Sequence, residues 1–313
     1  MTDIRQMPLF ATQPLSPEDI NHHTALKDTF NLFAQHLARE GKSQHTVKAF
    51  ASDMQLLADY TDGTTQVGRY TTTMLNQFLD WLEHGRGVPC SRKSYARRVT
   101  TLKVYFKWLH TIGALAHDPA KAVLQRSGPA PLSYALTPSE IARVVDAAQR
   151  VKKGEDIDFR PEMLFRLLLD TGIKKGEAMN LTPKDIDRLN PRQPFMMIKH
   201  RVKNQYKERK IHLEPDWITL LDLYLDQYNL RDIVFNCTSR NLEYILTDLG
   251  EAANIDSKLS FEVMRWTCAV RDYRNGMNEQ SIREKLGLSE ASWYETSAKI
   301  KKLAELQEAS QEG

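Results

Sequence analysis

Two basic islands stand in different halves of this chain. Ser91 to Lys107 holds Arg92, Lys93, Arg97, Arg98, Lys103 and Lys107 with no acidic residue. Lys199 to Lys210 holds Lys199, Arg201, Lys203, Lys207, Arg209 and Lys210 against Glu208 alone. Taken singly, each is also what a solvated helix or hairpin face looks like. Together they suggest two surfaces that clamp a polyanion. A third segment runs an apolar stretch, Leu167 to Leu169, into Thr171-Gly172 and then the pair Lys174-Lys175. Glu177 follows, expected either to order the Lys174 loop or to start the next helix, where a carboxylate favours the N-terminal dipole.

The bulk properties bound what these residues can serve. A chain of 313 residues with 41% hydrophobic content fills two ordinary cores. The net charge of +3 is too small to argue for nucleic acid by itself, so the argument rests on where the charges lie. No stretch is apolar enough to predict a membrane span, and the polar, proline-spaced N-terminus lacks a signal-peptide layout. Cys90, Cys237 and Cys268 have neither zinc spacing nor a disulfide pattern and fit a reducing cytoplasm. His22, His23 and His36 form no metal-ligand pattern, and neither metal, cofactor nor small-molecule substrate is expected.

The elements that must position the basic residues follow from periodicity. Residues 1–22 have little hydrophobic pattern and predict an arm. Phe30, Phe33, Ala34 and Leu37 share a helical face closed by Gly41, and Ser43 caps a helix carrying Val47, Phe50, Met54 and Leu57. A third helix is expected over 73–84. A fourth starts near Ser91, with Tyr95, Val99, Leu102, Tyr105, Phe106 and Leu109 as its core stripe and the basic residues mostly off it. A short helix is expected to end near Leu124. Gly128, Pro129 and Pro131 then predict a linker over 126–134 between domains at 23–125 and 135–298.

The second half opens with Thr137-Pro138-Ser139-Glu140, a capping box with proline at the first helical position. Strands are expected only at 195–198 and 208–213, flanking a basic loop in an otherwise helical domain. Helices are expected over 161–170, 216–228, 240–253, 260–275, 278–286 and 289–310, the last continuing into a polar tail at 299–313.

The segment Leu167 to Leu181 resembles the signature of the tyrosine recombinase/phage integrase family, Thr-Gly-(apolar)-Arg-x-x-Glu, with Lys174 at the first catalytic arginine. Ser43 to Tyr60 and Ser91 to Leu109 resemble two helices of the family's core-binding domain, which lie against DNA; Lys48 falls on the first. Lys207 to Leu213 is similar to the end of the family hairpin. The catalytic lysine position there is filled by Asn204, with Lys203 able to serve if the turn is one residue longer. Leu259 to Trp266 resembles Leu-(Ser/Thr)-Pro-His-x-Leu-Arg-His, keeping Arg265 and placing Glu262 at the histidine. Lys285 to Leu288 matches Leu-Gly-His with Leu288 at the donor. The nucleophilic tyrosine position falls on Ser297, and Tyr294 stands three residues before it.

The resemblance implies a mainly α fold with a small hairpin: a SAM-like core-binding domain followed by a recombinase-type domain. It implies duplex DNA as partner, bound through Lys48, Arg92, Lys93, Arg97, Arg98, Lys103, Lys174, Lys199, Arg201, Lys203, Lys207, Arg209 and Arg265. It also implies a C-terminal tail that docks on a neighbouring protomer in an oligomer on DNA. The family reaction needs a tyrosine nucleophile, phosphate donors and an acid for the leaving oxygen. Lysine lacks the planar fork of arginine, leucine donates no hydrogen bond, and Glu262 adds negative charge beside a phosphate. A DNA-binding protein with a degenerate site is therefore expected. Two alternatives stand beside it: a recombinase using Tyr294, displaced by roughly 4–5 Å along the helix, and an assembly protein that has lost DNA binding.

Overall fold

The computed structural model describes residues 16–125, 132–202 and 205–312. The chain divides into two compact units, Met1–Ala130 and Pro131–Gly313. The first packs four helices: α1 (Phe30–Arg39), α2 (Gln44–Tyr60), α3 (Thr72–Asp80) and α4 (Arg92–Thr111). Three of them start where a hydroxyl takes a free amide, with Ser43, Thr71 and Ser91 accepting from the residue three positions on. Phe33, Leu37, Met54, Leu57, Phe78 and Phe106 interleave in one core. Within it the Tyr105 hydroxyl bonds Thr29 Oγ1 at 2.6 Å, so the buried polar tip is satisfied.

Several expectations for this unit are corrected. Residues 16–22 are not a free arm: Ile20 is buried in the core and the His22 carbonyl accepts from Gly68 N. Residues 1–15 lie outside the described part. The third helix leaves α geometry at Asp80 and finishes as a π-helical turn, Trp81–Gly85. Among the described residues no helix ends near Leu124. Asp118 Oδ1 takes the Ala120 amide at 2.8 Å and Thr72 donates to the Pro119 carbonyl, so turn bonds replace helical ones there.

The second unit opens with α5 (Pro138–Gln149), whose Thr137–Glu140 capping box is present. A small hairpin that the sequence did not suggest follows, β1 (Lys152–Lys153) against β2 (Asp156–Ile157). Then come α6 (Phe159–Thr171), α7 (Lys175–Met179) and a three-stranded antiparallel sheet of β3 (Ile186–Asp187), β4 (Phe195–Val202) and β5 (Gln205–His212). Next are α8 (Pro215–Gln227), α9 (Ser239–Ala252), α10 (Phe261–Arg274), α11 (Glu279–Leu286) and α12 (Glu290–Glu312). The expected basic loop is hairpin instead. The ladder continues through Lys199↔Glu208 to Val202↔Gln205, and only the connecting residues 203–204 lie outside the described part. Met196 and Ile198 on β4, and Ile211 on β5, face the core, and this two-residue period carries the strands through the charged stretch.

Residues 299–312 of the expected tail form the second half of α12. Ile300, Leu303 and Ala304 are buried beside Val270, Ile282 and Leu286. Gln307 Nε2 donates to the carbonyls of Ala135 and Leu136 at 2.9 and 3.1 Å. Through residue 307 the tail is therefore packed on its own unit. The expected linker falls mainly on residues 126–131, which are outside the described part. Among the described residues no helix is long and apolar enough to cross a membrane.

Candidate functional site

The second unit brings Lys174, Glu177, Arg209 and Arg265 together where α6, α7, α10, α11 and β5 meet. Helix α6 ends at Gly172 in the left-handed conformation, φ 57°. A side chain there would meet Leu286 Cδ2 at 2.9 Å and Cys268 Sγ at 3.1 Å, so both the turn and the close approach require glycine. The chain then passes through Ile173, which is buried, and delivers Lys174 to the surface.

Glu177, in the first turn of α7, fixes that loop by accepting from the Lys174 amide at 2.8 Å. Its carboxylate also takes a fork of two hydrogen bonds from Arg209, at 2.9 and 2.7 Å, with both side chains 8% exposed. Burial works to raise the Glu177 carboxyl, but the Arg209 hydrogen bonds and charge outweigh it and hold the group below its ordinary range. Arg209 Nε donates to the Lys285 carbonyl at 2.9 Å. Arg209, expected among the DNA contacts, is thus inside the fold. Its place on β5 was readable from period two, which sets it on the same face as Ile211 and Leu213.

Arg265, on α10, lies beside this pair. One terminal nitrogen donates to the Gly172 carbonyl and the other to the Leu286 carbonyl, the last residue of α11. Burial lowers the Arg265 pKa, Glu177 opposes that shift and Arg209 adds to it. At Lys174, partial loss of water lowers the ammonium pKa; Glu177 pulls the other way, and the charges of Arg265 and Arg209 reinforce the lowering. Nearby, Lys285 Nζ meets the buried Asp272 at 2.6 Å, an ion pair that no sequence pattern suggested. Of Arg209, Arg265 and Lys174, only Lys174 is exposed; the next residue, Lys175, is exposed as well and pairs with Glu243 at 3.2 Å.

The remaining positions are placed as follows. Glu262 is in the first turn of α10, where a carboxylate suits the helix dipole. Leu288 packs with Trp266 and Trp293 against the small core under α12 and lines a cleft of about 490 Å³ with Lys207, Glu208, Lys210 and Ser289. Ser297 Oγ donates to the Tyr294 carbonyl at 3.2 Å, and Tyr294 itself is 83% exposed. Lys203 lies outside the described residues, and the side chain of Arg201 does too. Lys199 pairs with Asp185 at 3.4 Å, and Lys210 Nζ stands 3.7 Å over the Phe195 ring. Lys207 is exposed.

In the first unit, Lys48 on α2 and Arg92, Lys93 and Lys107 on α4 are exposed, and Lys103 is half-buried. Arg97 is exposed too and Arg98 is buried, and both reach the same carboxylate. Arg97 grips Asp53 with two bonds of 3.0 and 2.7 Å, while Arg98, largely buried, stands 3.6 Å from the same carboxylate and donates to Cys90 Sγ. Thr101 Oγ1 gives Asp53 a further bond at 2.9 Å. A carboxylate 2% exposed needs such partners, and the two arginines supply them.

Comparison with known proteins follows the same two units. Residues 135–299 match the phage integrase family, and residues 30–112 match its N-terminal SAM-like domain. The tyrosine recombinase XerC of Mycobacterium leprae is 28% identical over 157 residues, covering 50% of this chain and 52% of that protein. The tyrosine recombinase XerD of Listeria monocytogenes is 21% identical over 281 residues, covering 85% of this chain and 92% of its own. Among solved structures, the XerH site-specific recombinase bound to palindromic difH substrate superposes with a TM-score of 0.69 at 18% identity, covering 91% of this chain and 82% of that one. A lambda integrase dimer bound to a COC′ core site gives 0.68 at 15% identity, covering 87% and 76%. At these identities the structural likeness speaks for the fold.

Proposed function

This chain belongs to the phage integrase family, and on that basis we propose that it binds duplex DNA without cleaving it. It acts in the cytoplasm on the nucleoid, each unit supplying phosphate contacts, and more than one copy assembles on a site. DNA binding is supported by the solved relatives, which include complexes with difH and core-site DNA. The exposed cations Lys48, Lys93, Lys107, Lys174 and Lys207 provide the side chains, and phosphate contacts give affinity rather than sequence readout.

The absence of cleavage rests on one observation above the others: at the nucleophile position of α12 stands Ser297, its hydroxyl donating to its own helix backbone. Leu288, at a donor position, supports the same reading, because its side chain cannot stabilise developing charge on a phosphate. The test is a nicked duplex that traps covalent phosphotyrosine products, run beside a filter-binding titration against salt. The expected result is salt-dependent binding with no adduct. An adduct that disappears in Tyr294→Phe would replace this reading with a recombinase using the exposed Tyr294. Absence of any DNA binding would leave an assembly protein on a recombinase fold.

A further inference from the structure

We infer that residues 6–15 of this chain dock in an apolar groove between α1 and α4 of their own unit. The inference rests on the fold and goes beyond the DNA-binding reading, which it neither needs nor alters. The groove has a volume of about 460 Å³. Its floor holds buried Leu32, Leu37 and Trp108 with half-buried Val104 and Ile112, and Arg39, Lys42 and Lys107 stand exposed along it. His36 stacks on Trp108, with 5.7 Å between the ring centroids. Apolar surface gathered in this way, with a charged rim, marks a place where another segment docks.

The point at which the chain enters names the occupant. Pro17 lines the groove, so the residues before it start at its edge. The chain is fixed at that point, because Ser16 N donates to Asp19 Oδ2 at 2.8 Å and Ile20 is buried in the core. Residues 1–15 lie outside the described part; from Gln6 to Leu15 they carry no charge and include Met7, Leu9, Phe10 and Leu15. That composition suits the floor and leaves the rim cations in water at the ends of their apolar stems. Reach is sufficient. The α1 wall from Leu32 to Arg39 is about 10 Å long by the helical rise, and the stretch from Phe10 to Leu15 extends up to about 20 Å. Pro8 and Pro14 restrict the free chain, so ordering it costs less entropy. A tethered segment also acts at an effective concentration of about millimolar, which a separate acidic peptide attracted by the rim would have to exceed.

The test uses the full chain with methyl-labelled Ile, Leu, Val and Met. Nuclear Overhauser contacts are expected from the Met7, Leu9 or Leu15 methyls to those of Val104 and Ile112, with none between copies in a sample mixed from differently labelled chains. Absence of these contacts overturns the inference. Contacts found only between copies overturn it as well and make a second copy the occupant. Chymotryptic cleavage after Leu9 or Phe10, read by mass, is the second measurement. Val104→Glu places a charge in the groove and should speed that cleavage by about tenfold, because cleavage tracks the undocked population. Where this variant does not fold, Met7→Ser with Leu15→Ser alters no described residue, keeps both cleavage sites and should give the same acceleration. An unchanged rate in the folded variant overturns the inference. Neither measurement involves DNA, so the result stands whatever becomes of the proposed function.

Discussion

Arg209 and Glu177 form a two-bond ion pair in which both side chains are 8% exposed, and the same carboxylate accepts the Lys174 amide. The pair ties strand β5 to the loop that follows α6, and it converts a residue of the basic island into part of the core.

Removing one partner of this pair should be severe. Arg209→Ala leaves a buried carboxylate without its cation and should cost about 3–5 kcal/mol, measured as a lower urea midpoint. Replacing both with residues of similar volume, as in Glu177→Gln with Arg209→Met, should cost less than Arg209→Ala alone. Equal losses would mean that the charge pair is not what makes the single substitution costly.

The same pair predicts an acid-sensitive component of stability. The folded-state pKa of Glu177 lies below its ordinary value of 4.5. The stabilisation it contributes is therefore present above the unfolded-state pKa and is lost as pH falls through the folded value. Urea unfolding followed from pH 7 downward should show stability decreasing below about pH 4.5, and Glu177→Gln should flatten that acid limb. An identical limb in the variant would assign it to other carboxylates.

Arg97 and Arg98 should prove to be stability residues first. Their joint replacement by alanine strips buried Asp53 of its cations and should destabilise the first unit by about 3–5 kcal/mol. Thermal unfolding checks this, and any change in DNA affinity needs to be read at a temperature where the variant is folded. Adding Asp53→Asn to the double variant should recover part of the loss, since an uncharged amide tolerates burial better.

Gln307 should matter more than a polar tail residue ordinarily does. Its amide serves the Ala135 and Leu136 carbonyls and is 8% exposed, so Gln307→Ala should cost about 1–3 kcal/mol. Chemical denaturation of the second unit measures it. A neutral result would show that water replaces the amide and that the apolar contacts of Ile300, Leu303 and Ala304 suffice to hold the end of α12.

On the proposed reading of a chain that binds DNA without cleaving it, a tyrosine placed at position 297 should give no cleavage. Ser297→Tyr leaves Leu288 in place of a donor and Glu262 in place of a histidine, and each missing donor withholds about 3–4 kcal/mol of transition-state stabilisation. The nicked-duplex assay on this variant should give no covalent product. A product would mean that the remaining groups suffice, with Lys174 as the first cation.

What the sequence determined by itself is what short-range physics writes into it. The capping hydroxyls at Ser43, Ser91 and Thr137 mark helix starts because they answer amides only a few residues away. The stripe from Tyr95 to Leu109 marks the core face of α4 because a helix repeats every 3.6 residues. The order of helices around one hairpin, with Thr171-Gly172 between two of them, carried the family. The tertiary structure decided which cations face outward. Arg209 reaches a partner 32 residues away and Arg265 one 93 away, and no local pattern records such a pairing. Arg98 and the end of α12 follow the same logic. The two-residue period places Arg209 on the inner face of β5, but its partner, like those of Arg98 and Arg265, is set only by the packing of Glu177, Asp53 and the helix-end carbonyls.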